Sequence, residues 1–226
     1  MLKELRPAIL ITLVFTLLTG FGFPFLMYGI AKVAFPYQAD GSLVSGVTVK
    51  PDRCEFLPAR PGETVVGSEL IGQSFAQPRY FHPRPSAAGH GYDPTSSSGT
   101  NLGPTSDKLI NGIHKKLPDG KDDPGNFDGI KDLVAAYRQE NGLGPDALVP
   151  ADAVTRSASG LDPHISPANA ELQVARVAKA RNLSHDVVRK LVGKCTEGRQ
   201  WGFLGEPRVN VLMLNLALDQ APAGPQ

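Results

Sequence analysis

From Pro7 to Ala31 the chain carries no charged residue, and the runs Ala8 to Leu18 and Phe21 to Ile30 are apolar on every face. About 18 such residues suffice for a helix to cross a bilayer, so the N-terminus is predicted to be a membrane span. Gly20, Gly22 and Pro24 would weaken a helix in water, but a span tolerates them where neighbouring helices restore the lost backbone bonds. They point to a packed partner inside the membrane. Lys3 and Arg6 also give the positive start of a secretory signal. The apolar stretch is too long for one, and no small-x-small cleavage site follows it cleanly, which favours a retained anchor.

Positive charge sets the orientation of a span. Lys3, Arg6 and the terminal amine precede it, offset by Glu4, whereas Lys32 is the only basic residue after it until Lys50. The expectation is a single-pass protein of the cell (inner) membrane with a cytoplasmic N-terminus, a span touching lipid, and the rest of the chain outside. From about Val33 to Gln226 there is enough sequence for one domain with a real core. The formal charge of +1 argues against nucleic acid as its partner. Cys54 and Cys195 both lie in this exterior part. An oxidising compartment permits a disulfide between them, but sequence fixes no distance, so a bridge and two free thiols both stay open.

The stretch from Gly67 to Ser106 is rich in Gly, Pro, Ser and Asn, with Phe75, Tyr80, Phe81 and Tyr92 at intervals and no run of charge. Disordered linkers seldom carry such rings, because nothing then removes them from water. An ordered irregular loop is expected, and loops this long inside a domain are usually functional surfaces. Pro83 and Pro85 hold Arg84 extended, so its guanidinium fork is presented with little freedom left to lose. It either bonds loop carbonyls in its own domain or meets a partner. Gln73 and Asn101 carry the same two readings.

Around this loop the pattern is mixed. Val47 and Val49 alternate as an edge strand, Arg53 to Glu63 reads as a surface loop, and Val65 to Ser74 as a strand. A helix capped at Thr105-Ser106 would carry Leu109, Ile110, Ile113 and Leu117. A second runs from about Phe127 to Glu140, ended by Asn141-Gly142. Leu148, Val149 and Val154 read as extended. Ser166-Pro167 starts a helix to Arg181, and another begins after Ser184. Val209, Val211, Leu212, Leu214, Leu216 and Leu218 read as an apolar strand interrupted by Asn210 and Asn215. The fold class is therefore α+β: a cytoplasmic N-terminus over 1–6, a span over 7–31, a tether and outer hairpin over 32–66, one domain over 67–219 and a disordered tail over 220–226.

Several strings imitate active sites. Ser98 to Lys108 suggests a phosphate loop, but Pro104 stands where the lysine belongs and removes an amide donor. Val177 to Val188 imitates a helix-turn-helix, which an exported domain could not use on DNA. Asp162, His164 and Ser166 invite a triad, yet a local string with Pro163 seldom lets side chains converge, and no GxSxG elbow accompanies it. His82, His90 and His114 lack a metal spacing. No catalytic, cofactor or metal residue is expected.

Three separated blocks carry a resemblance. Gly67-Ser68-Glu69-Leu70-Ile71-Gly72-Gln73 leads to Pro78, Tyr80-Phe81, Arg84-Pro85-Ser86-Ala87, Ser98-Gly99 and Asn101-Leu102-Gly103-Pro104; Asp162 to Ala170 follows, then Gly205 to Val211 with Leu214 to Asp219. In that order they resemble KdpC, the C subunit of the potassium-transporting Kdp P-type ATPase. The resemblance implies an accessory subunit of high-affinity potassium uptake, working with a channel-like subunit, an ATP-hydrolysing subunit and a small single-span subunit. It would have no cofactor of its own, would meet ATP through the ATPase subunit, and would raise that subunit's ATP affinity as a catalytic chaperone. Gln73, Tyr80, Phe81, Arg84, Tyr92 and Asn101 are then the candidate interface residues. Neither cysteine belongs to the blocks. The rival reading is a membrane-anchored exterior hydrolase.

Overall fold

The computed structural model describes residues 2–221, in two units that divide at Leu43 and Val44. Of the tail expected over 220–226, residues 222–226 lie outside the described residues.

The first unit is helical. Helix α1 (Leu2–Leu17) passes through a π turn (Leu18–Gly22) into α2 (Phe23–Ala34), and a short α3 (Pro36–Ala39) follows. The wide turn falls on Gly20 and Gly22 just ahead of Pro24, whose missing amide and ring interrupt the ladder of the continuous helix there. Thr12 and Thr19 donate their hydroxyls to the carbonyls of Ala8 and Phe15, so both polar groups are satisfied within the helix. Lys3 to Ala34 is long and apolar enough to cross a membrane, and none of its most apolar window is covered by the protein. Lys32 pairs with Asp40 beyond its end.

The second unit is α+β. Strands β1 (Leu43–Val49) and β2 (Cys54–Pro58) form an antiparallel hairpin, with β3 (Gly67–Ser68) on the other side of β1. Helices α4 (Asp107–Asn111), α5 (Ile130–Glu140) and α6 (Ala151–Val154) lead to β4 (His164–Ile165), then α7 (Pro167–Arg181) and α8 (His185–Lys194), and finally β5 (Thr196–Glu197), β6 (Arg208–Asn210) and α9 (Val211–Asp219). Strand β6 is central between β4 and β5, antiparallel to both. The main core gathers Val174, Val177, Val188, Leu191, Val209, Leu214 and Leu218 with Val47 and Phe81. A smaller cluster lies between α5 and α6 around Tyr137, Ala153 and Val154.

Local signals placed the caps. Ser106, Ser166 and Ser184 each accept the amide three residues on, from Leu109, Asn169 and Val187. Elsewhere the structure corrects the sequence reading. Val211 to Asp219 is a helix, not a strand: it is buried nearly all round, and that erases the period by which the two are told apart. Asn210, read as an interruption, caps it by accepting the Met213 amide at 3.1 Å. Val65 to Ser74 keeps only Gly67–Ser68 as strand, and Cys54–Pro58, read as loop, pairs with β1. Helix α4 stops at Asn111 because Gly112 turns left-handed (φ 78°); Ile113 then bridges to Phe127, which delays α5 to Ile130. Residues 151–154 are helical where an extended segment was expected.

Candidate functional site

The long loop lies across the second unit as a strap, and its bonds run to segments distant in sequence. Phe81 is fully buried; its amide donates to Asn215 Oδ1 at 2.8 Å, and Asn215 Nδ2 donates back to its carbonyl at 3.0 Å. Next to it, Gln173 holds His82 in the same two-sided way, at 2.7 and 3.1 Å. Each amide side chain imitates a strand neighbour for one residue, so a loop without a ladder still satisfies its backbone. Gln173 continues through Asn169 to the Tyr137 hydroxyl, and burial raises the pKa of that phenol. The strap is thereby tied to α5, α7 and α9.

Within the folded unit Arg84 bonds groups distant in sequence. Nη1 donates to Asp162 Oδ2 at 2.8 Å, while Nε and Nη2 reach the Thr155 carbonyl at 3.4 and 3.3 Å. Burial pushes the Asp162 carboxyl upward, but the His164 and Arg84 hydrogen bonds outweigh it and hold its pKa down at about 2. Tyr92 donates to the Arg84 carbonyl at 2.7 Å, and burial raises its pKa as well. Two glycines permit this close approach. A Cβ on Gly72 would stand 2.8 Å from the Asp162 carbonyl oxygen; on Gly160, itself left-handed at φ 68°, it would stand 2.7 Å from both Ala88 N and Ser98 O.

The other candidates divide. Tyr80 donates to Asp219 at 3.2 Å and lies under the guanidinium of Arg181, 5.0 Å from its ring centroid. Gln73 donates to the Val66 carbonyl at 3.0 Å. Asn101 is exposed in a left-handed conformation, φ 51°. Asn101 is thus at the surface, Gln73, Tyr80, Arg84 and Tyr92 are half-buried, and Phe81 presents no surface. Cys54 and Cys195 are joined, with Cα atoms 4.8 Å apart, fastening the β1–β2 hairpin to the end of α8.

The strings that imitate active sites serve local structure. Ser166 Oγ donates to Asp152 at 2.8 Å and caps α7, and Asp162 Oδ1 accepts the His164 amide at 2.9 Å. The groove lined by Val49, Val187, Leu191 and Ala217 carries Lys190 and Lys194, with no acid or nucleophile in its lining. The hydrolase reading finds no support. One grouping escaped the sequence: His114, Asp128 and Asp132 bring potential metal-ligating atoms within 4.8 Å. Asp132 already accepts the Gly129 amide at 2.8 Å and pairs with His114 at 3.0 Å, while Arg156 donates to the Asp128 carbonyl, so the group closes the start of α5. Sequence hid it because the three come together only through the Ile113–Phe127 bridge.

Comparison with known proteins is consistent over almost the whole chain. The family described as "KdpC: K+-transporting ATPase, c chain" matches residues 5–220. Proteins named "Potassium-transporting ATPase KdpC subunit" are 46% identical in Koribacter versatilis, over 97% of this chain and 95% of the relative. In Mycobacterium tuberculosis the identity is 46% over 97% and 100%, and in Methylococcus capsulatus 48% over 97% and 98%. The three blocks that tie the strap to α7, β6 and α9 fall inside this match, and the chain belongs to the KdpC family, the c chain of K+-transporting ATPases.

Proposed function

We propose that the chain is the non-catalytic, single-pass subunit of a P-type potassium-transporting ATPase, present in the complex to stabilise its channel-like and ATP-hydrolysing subunits. The observation that carries this reading is the family match across both the apolar helix and the folded unit. A membrane anchor and a domain in which, among the described residues, every buried polar side-chain atom has a hydrogen-bond partner suit a scaffold. A small single-span subunit completes the set of partners.

The domain sits on the extracytoplasmic side of the inner membrane in this reading. Lys3 and Arg6 ahead of the span support it through the positive-inside rule. The bridge between Cys54 and Cys195 supports it independently, since disulfides persist in oxidising compartments. Any rise in the ATP affinity of the hydrolysing subunit is then transmitted through the complex, because the domain and the nucleotide lie on opposite sides of the membrane.

Co-expression of the ATPase subunits with and without this chain tests the proposal. With it, a complex of all subunits should co-purify and hydrolyse ATP in response to potassium. Without it, yield and potassium stimulation should fall and KM for ATP should rise. A complex that assembles and works equally well in its absence would sink the proposal.

A further inference from the structure

The rings of the strap, Phe75, Tyr80, Phe81 and Tyr92, are buried or half-buried, whereas the most exposed aromatic side chains of the folded unit lie elsewhere. Strands β5 and β6 pair through Thr196 with Val209 and Glu197 with Arg208, and the chain between them folds into a narrow turn. Gln200 and Leu204 close that turn with reciprocal backbone bonds, both 2.9 Å. At its tip Trp201, the only tryptophan of the chain, is 85% exposed and Phe203 is 67% exposed.

This turn is held, and its charges are paired. Arg199 binds both oxygens of Glu206, at 2.8 and 2.7 Å, and Arg208 binds Glu197 at 2.9 Å. Trp201 adopts the left-handed conformation, φ 51°, followed by Gly202 at φ 82°. A bulky residue there costs about 1–2 kcal/mol. Packing inside the unit gives no return for that cost, since the indole is almost wholly in water.

We propose that Trp201 and Phe203 form a preorganised anchor that enters an uncharged apolar pocket on a neighbouring subunit of the K+-transporting ATPase. The proposal rests on the reading of this chain as a subunit of that complex. Exposed Trp on a rigid support, ringed by polar groups, is the pattern of residues that dominate binding energy. The paired neck leaves the tip without net charge, so the matching surface is apolar. A bilayer interface would accept Trp in any backbone conformation; a fixed, strained turn gains affinity only against a partner of fixed shape.

The test uses the full chain co-expressed with the other subunits. A photoreactive benzoylphenylalanine at position 201 should crosslink to one of them on illumination. Trp201→Ser with Phe203→Ser should lower the yield of co-purified complex by about tenfold or more, while the melting temperature of the variant chain alone stays at the parent value. Crosslinking to lipid only, or to nothing in an intact complex, would overturn the proposal, as would an unchanged yield from the double variant. Should the parent chain itself fail to co-purify with any subunit, the subunit reading falls and this inference with it.

Discussion

Asn215 and Phe81, separated by 134 positions, exchange two hydrogen bonds in the buried interior, at 2.8 and 3.0 Å. The side-chain amide on α9 supplies both partners that the backbone of the strap would otherwise take from a strand. Because the pair is dry, removing it leaves a donor and an acceptor without water. Asn215→Leu is expected to cost about 2–4 kcal/mol, read as a lower denaturant midpoint and increased protease sensitivity between residues 75 and 105. Asn215→Asp should also destabilise, since it removes the donor to the Phe81 carbonyl and buries a charge.

Arg84 and Asp162 give the fold an acid limit. The folded pKa of Asp162 is depressed to about 2, so the carboxylate stabilises the native state above its unfolded value of about 4. That contribution, about 2 kcal/mol, disappears as pH falls from about 4 through 2. Arg84→Ala should lower stability at neutral pH and flatten the pH dependence in that window, which urea unfolding at several pH values would reveal. An unchanged acid profile would mean that the His164 bonds alone hold the carboxylate.

The bridge between Cys54 and Cys195 spans 141 positions. Cross-linking so long a segment restricts the unfolded chain, and its removal should cost about 2–5 kcal/mol. Unreduced, denatured protein should resist thiol labelling and become reactive after reduction. Cys54→Ala with Cys195→Ala should lower the melting temperature yet still co-purify with the other subunits, because neither cysteine lies in the strap or the Trp201 tip.

Topology is open to a direct measurement. Protease added to intact spheroplasts should remove the folded unit and leave the span protected. Digestion only after lysis would reverse the orientation drawn from Lys3 and Arg6, and would place the domain beside the nucleotide.

What the sequence by itself determined is what depends on neighbours within a few positions. The charge-free run dictated a helix long and apolar enough to cross a membrane, and Ser106, Ser166 and Ser184 marked helix starts because a cap reaches only to the third amide. The rings of Phe75, Tyr80 and Phe81 announced an ordered loop, and three ordered blocks announced the family. Tertiary structure decided the rest. Val211 to Asp219 reads equally as strand or helix, since a segment buried on nearly every side has no polar face to give it a period. What Arg84 bonds inside the unit was not legible either, because Asp162 and Thr155 lie more than 70 positions away. The most exposed aromatic residues of the folded unit, Trp201 and Phe203, drew no attention in the sequence, because exposure is a property of the packed surface and not of the residues that form it.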